Sequence, residues 1–234
     1  MIMNRVKNIG WIAAFSLAGL FATACTGQSA AIYQPKTRVT VGPRIEFKLE
    51  PGPYYAKNMG ILWFKYTVRP QIAVWIETPE GRFLDTLYIT EVAVTGKYRS
   101  APKQGRPEAL PVWSARKAGS ADAVSAPTTV GSAVVFGNGI ASRLSAGKYT
   151  VMLEANRSYD YNETFTKKNS GVNGQPSIIY RAELEIGFGP REARFEPLGT
   201  GSVDGSNGTI KPGLEGIDTA LELFSSMTVR YLVD

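Results

Sequence analysis

Whatever this chain does, it does without an imidazole: its 234 residues include no histidine and a single cysteine, Cys25. Serine and cysteine nucleophiles that need a histidine base, and zinc sites built from histidine and cysteine sets, therefore lack their parts. Paired carboxylates could still run acid–base chemistry, but the acids are scattered along the chain, each where a strand face or a turn accounts for it. Few side chains are left with a chemical or recognition role. Trp113 stands in a segment otherwise rich in Ala, Ser, Gly and Pro, where it could stack on a sugar ring or pin that segment to the fold. Tyr159 and Tyr161, with Asp160 and Asn162, could form a recognition tip, because tyrosine brings large contact area at low entropic cost, or could simply cap a hairpin.

Cys25 is placed by what precedes it. Arg5 and Lys7 lead into an apolar run over residues 9–21, interrupted by Gly10, Ser16 and Gly19. That is the pattern of a secretory signal peptide, and it is short of the roughly 20 apolar residues a helix needs to cross a bilayer. Ala22, Thr23, Ala24 and Cys25 then resemble the bacterial lipobox, with Ala22 where leucine is commoner; an ordinary small-residue cleavage site is the alternative. The resemblance implies that residues 1–24 are removed and that Cys25 becomes an acylated amino terminus, a lipid anchor whose buried methylenes contribute about 0.8 kcal/mol each. Residues 25–36 read as a tether. Thr26 stands where aspartate would resemble an inner-membrane retention signal, so the expected location is the outer membrane, on its periplasmic or surface face.

Loss of residues 1–24 removes two cations and no anion, taking the net charge from +6 to +4. A pI near 9.4 invites a nucleic-acid reading, yet no basic cluster or helical basic stripe accompanies it. Besides the membrane, the expected partners are therefore an envelope protein or polysaccharide, with no nucleic acid. One cysteine makes no internal disulfide, so the exported domain has to rely on its core, and 44 % hydrophobic residues suffice for one.

The elements that must position these residues are strands. β-branched and aromatic residues recur in short bursts between glycine, proline and asparagine, and no segment sustains helical apolar spacing for three turns. The alternation predicts strands over residues 38–49, 61–69, 71–78, 83–90, 145–157, 177–188 and 226–234. "PEGR" at 79–82 joins two of them as a hairpin, with Gly81 at the position that tolerates positive φ. Ile72, Val74 and Ile76 share one strand face, and Tyr149, Val151, Leu153 and Ala155 another. Residues 96–146 and 158–175 read as long insertions, the first holding one structured island over 108–117 and a surface made basic by Arg106, Arg116 and Lys117. The expected fold is all-β: an immunoglobulin-like antiparallel β-sandwich with long loops, in one domain over 37–234.

The blocks "IAVWIETPEGRFLDTLYI", "EALPVWS", "DAVSAPT" and "AGKYTVMLEA", in that order, resemble DUF2271, a family of exported bacterial proteins. The resemblance spans about residues 61–186. It implies an immunoglobulin-like fold and an accessory role beside flavin-transfer and membrane redox proteins, and it brings no catalytic residue. Within it, "DAVSAPTT" at 122–129 is similar to the exported flavoprotein signature in which a threonine is esterified by FMN phosphate. This would make Thr128 the acceptor, although Ala126 and Pro127 stand where that signature has glycine and alanine; a Ser-Pro turn is the other reading. "DGSNGT" at 204–209 is similar to oxygen-rich calcium loops but lacks their later carboxylates, and reads as a solvated turn. The expected protein is a non-catalytic, lipid-anchored envelope protein that binds or associates without a cofactor. A redox accessory carrying FMN at Thr128 and a carbohydrate-binding module using Trp113 and the tyrosine tip are the alternatives.

Overall fold

The computed structural model describes residues 42–61, 63–95, 106–117, 125–126, 134–136, 138–188 and 191–233, all within the compact unit Gln34–Asp234. The leader, Cys25, the tether and Thr128 lie outside the described residues. In chain order the strands are β1 (Arg44–Pro51), β2 (Lys57–Ile61), β3 (Phe64–Val68), β4 (Gln71–Glu77), β5 (Phe83–Thr90), β6 (Ser125–Ala126), β7 (Val134–Phe136), β8 (Gly147–Asn156), β9 (Ile178–Ile186), β10 (Arg191–Arg194), β11 (Glu196–Thr200), β12 (Lys211–Pro212) and β13 (Phe224–Leu232). Helices α1 (Glu91–Thr95), α2 (Pro111–Arg116), α3 (Asn138–Ala141) and α4 (Lys167–Ser170) are short, none exceeding six residues among the described residues.

The strands make a seven-stranded sheet in the order β12-β11-β9-β8-β4-β5-β6, a four-stranded sheet in the order β10-β13-β1-β7, and a separate two-stranded ribbon, β2-β3. Pairing is antiparallel except for β6, which runs parallel to β5. The large sheet follows the expected alternation closely. β4 and β5 form the hairpin around Gly81, whose φ is +82°, and the turn is closed by Gly81 N–H donating to Thr78 O at 2.9 Å. β8, but for Asn156, pairs with all of β9, Gly147 opposite Ile186 through Ala155 opposite Ile178.

One hydrophobic cluster draws on both larger sheets. Ile45, Phe47, Leu49, Val229 and Tyr231 come from the smaller, and Ile72, Val74, Ile76, Val151, Leu153, Ala155 and Ile178 from the larger. The Phe47 ring meets Tyr88 edge to face, centroids 5.7 Å apart. A contact of that kind adds about 0.5–1.5 kcal/mol to simple burial. On β1 the opposite face carries Glu46, which accepts from Arg230 Nε on β13 at 2.8 Å, the residue it faces in the register.

Three expectations are corrected. The run over 61–69 is not one strand: the chain turns back within it, so that Ile61 faces Phe64 and β3 pairs with the preceding β2. The insertion over 96–146 supplies β6 and β7, which extend one edge of each larger sheet. Arg106, expected on a basic surface, is buried.

Candidate binding surface

The outward face of the large sheet is not left to water. Ala73 and Trp75 on β4, Ile89 on β5, Met152 on β8 and Ile179 on β9 form a second apolar cluster, closed by Leu110, Val112 and Trp113. Pro111 opens α2 at a position where proline removes no needed donor, and the helix is then bolted to the sheet by a carboxylate. Glu154 on β8 is fully buried. It accepts from Trp113 N–H at 2.7 Å, Val112 N–H at 3.2 Å and Ser177 Oγ at 2.6 Å. Burial pushes its carboxyl up to about 7, against the opposing pull of those three donors. The carboxylate thus satisfies backbone donors that the first turn of any helix leaves open.

Trp113 is 2 % exposed. Its indole Nε1–H donates to Thr86 Oγ1 at 3.0 Å, and Lys117 Nζ sits 3.9 Å above its ring. The sugar-stacking alternative for Trp113 is therefore corrected in favour of the pinning one, because no ring face is open to a ligand. The tyrosine pair is pinned as well. Tyr161 donates its hydroxyl to Gly171 O at 2.8 Å and meets Tyr159 edge to face at 6.4 Å. Tyr159, half-buried, has a φ of +62° and accepts Lys57 Nζ at its carbonyl at 2.8 Å.

Beneath that pair lies a polar knot that composition alone did not show. Arg106 donates to Glu108 Oε1 at 2.9 Å and, through its other nitrogens, to Ser158 and Asn173. Buried Asn173 donates in turn to Glu108 O at 2.6 Å and Val203 O at 3.1 Å. Arg157 pairs with Asp160, and both are buried; Thr219 Oγ1 donates to the same carboxylate at 2.8 Å. At Gly174 a Cβ would stand 2.6 Å from Asp160 N, so only glycine lets these two backbone segments bridge. Three connections are thereby locked together: the island over 106–117, the insertion over 158–175, and the loop between β11 and β12.

That third connection walls an open cleft of about 540 Å³, inside the roughly 300–1,000 Å³ range of small-ligand sites. Phe165, Pro176, Ile210 and Ile217 provide its apolar side; Ser202, Asn207, Thr209, Lys211 and Glu215 provide hydroxyl, amide and charged groups. The loop bonds to itself. Ser202 Oγ donates to Asn207 O at 3.0 Å, Asp204 Oδ1 accepts from Ser206 N–H at 3.0 Å, and Asn207 Oδ1 from Thr209 N–H at 3.0 Å. The Ser206 donors hold the Asp204 carboxyl below its usual range. These bonds are those of a self-satisfied turn, and among the described residues no group of three or more acids, histidines or cysteines could hold a metal ion. At the floor, a Cβ on Gly201 would lie 2.8 Å from Pro111 Cγ, so the cleft rests directly on the α2 cap.

Sequence reasoning offered Tyr159 and Tyr161 as a recognition tip, but neither is among the residues lining the cleft, and it missed the cleft and the knot. The signal available was "EALPVW", an apolar helix start in need of a covering surface. No family model matches the chain, and neither a curated protein nor a solved structure matches it.

Proposed function

We propose that this chain is an exported, lipid-anchored and non-catalytic protein of the bacterial cell envelope, built as an immunoglobulin-like β-sandwich, that binds an envelope polysaccharide or protein. The cleft beside the β11–β12 loop carries the reading. It combines an apolar wall with hydroxyls and amides on a loop fixed by its own hydrogen bonds, which is the makeup of a recognition site. Its lining includes one carboxylate, Glu215, where glycoside hydrolysis uses two. Glu154, whose raised pKa would otherwise mark an acid–base residue, is engaged as the cap of α2. The sandwich reading draws support from the core shared by the two larger sheets and from Tyr149. Its hydroxyl donates to Ser145 O at 3.0 Å, as the corner tyrosine of immunoglobulin-like domains bonds a few residues upstream.

Titration calorimetry of the protein with cell-wall glycan fragments tests the binding. Saturable heat is expected, with affinity falling about ten-fold in Phe165→Ala or Lys211→Ala, each change removing one anchor of a small site. Equal affinity in both variants would place the ligand elsewhere. Intact mass of protein taken from its native membrane tests the anchor, with an acylated residue 25 expected.

A further inference from the structure

The β2–β3 ribbon belongs to neither larger sheet, and its two ends are unlike. The base is nailed down. Tyr55 is buried in the main core against Phe224, ring centroids 5.9 Å apart; Arg157 donates to Tyr54 O; and Lys57 Nζ reaches Tyr159 O at 2.8 Å. The tip is open. Trp63 at the turn is 87 % exposed, the most exposed large apolar side chain among the described residues, and Tyr66, further down β3, is 38 % exposed.

Register sorts the ribbon into two faces. Asn58 lies opposite Thr67 and Gly60 opposite Lys65, giving a polar face on which Thr67 Oγ1 donates to Asn58 Oδ1 at 2.9 Å. Met59 lies opposite Tyr66 with the alternate parity. Charge is one-sided: between Glu50 and Glu77 there is no acid, while Lys57, Lys65 and Arg69 are present, the last two exposed. Tryptophan at the turn, tyrosine and lysine behind it on β3, arginine at the foot of the strand and no acid along residues 51–76 match the headgroup zone of an anionic bilayer. A protein partner of ordinary surface composition would place acids and cations in comparable number against it, and nothing in the ribbon answers the cations.

We propose that this ribbon is a second membrane contact, with Trp63 entering the headgroup zone of an anionic bilayer and Lys65 and Arg69 meeting lipid phosphates. The inference rests on the reading of the chain as held at a bilayer, and it converts a tethered domain into one with a fixed face toward the lipid. One acyl-anchored residue leaves a domain free to swing on its tether; a second contact raises the effective concentration of the tip at the surface, so a weak insertion suffices.

The test uses full-length protein as cells produce it, reconstituted into phosphatidylethanolamine–phosphatidylglycerol vesicles with or without brominated acyl chains. Trp75 and Trp113 are buried, and subtracting the spectrum of Trp63→Phe isolates the Trp63 signal even if Trp11 of the leader is retained. A blue-shifted difference spectrum, quenched about two-fold or more by bromine, is expected for an interfacial tryptophan. Lys65→Glu with Arg69→Glu should abolish the quenching while leaving thermal unfolding unchanged. An unquenched difference spectrum with the emission of water-exposed indole would overturn the proposal. So would a shift that grows with protein concentration in vesicle-free solution, which would assign the tip to a second copy of the chain. A mass spectrum showing residue 25 unacylated defeats the anchor alone; vesicles are then added to the soluble protein and Trp63 is read in the same way.

Discussion

Glu154 is the residue on which the outer layer of the molecule turns. Its carboxyl titrates near 7 in the folded chain against an ordinary value of 4.5, so between those limits the unfolded state holds fewer protons than the folded one. Stability therefore falls as pH rises through that window and levels above it, by on the order of 3 kcal/mol. Urea unfolding at pH 5 and pH 8 should show the acidic sample more stable. Glu154→Gln should flatten that dependence and cost about 2 kcal/mol at pH 5, because an amide presents hydrogens to backbone donors it cannot satisfy. A variant that keeps the wild-type slope would show that another group titrates. In the linear chain Glu154 looks like any strand acid facing water, since the segment that covers it lies some forty residues earlier; its burial is a tertiary fact with no local sign. Tyr159 and Tyr161 stand out in the linear chain because aromatics in a polar stretch are conspicuous, whereas Arg157 and Asp160 look like solvated charges until the bridge at Gly174 folds over them.

Among the elements, those that pair with neighbours in sequence were the legible ones. β4, β5, β8 and β9 alternate with period two and are bounded by turn residues, so their existence and partners follow from pattern and turn chemistry. Gly81→Ala tests the turn. No side-chain clash awaits it, the nearest atom being 3.9 Å from a built Cβ, so the expected loss of about 1 kcal/mol in a thermal melt comes from left-handed backbone alone. Gly81→Asn should lose less. The reversal inside 61–69 stayed hidden because it uses Trp63 where a turn residue would have marked it. α2 was visible as an island, and pinning to the fold was one reading of Trp113; the buried carboxylate that fastens it was not. Trp113→Phe removes the Thr86 bond while keeping the ring, and Thr86→Val removes it from the other side. Each should cost about 1–2 kcal/mol, with the double variant losing less than the sum because one bond is shared. Strict additivity would mean the two groups do not interact.

At the scale of the molecule, the all-β composition was plain in the sequence, while the arrangement of strands was not. Every short edge strand, β6, β7, β10 and β12, has four residues or fewer, too few to show a period. β13 sits in the interior of the four-stranded sheet, between β10 and β1, so deleting residues 224–234 should unseat both neighbours. The expected product shows neither a cooperative thermal transition nor near-ultraviolet dichroism. Retention of both would mean that β1 finds another partner.

The placement of β13 also orders events in time. β1 pairs, from Arg44 with Leu232 to Pro51 with Phe224, with a stretch that leaves the ribosome long after it. At ribosomal speeds of roughly 5–20 residues per second, β1 waits about 10–40 s for β13, although its other neighbour, β7, is made sooner. During that interval the nascent chain is a client for holdases and an aggregation hazard.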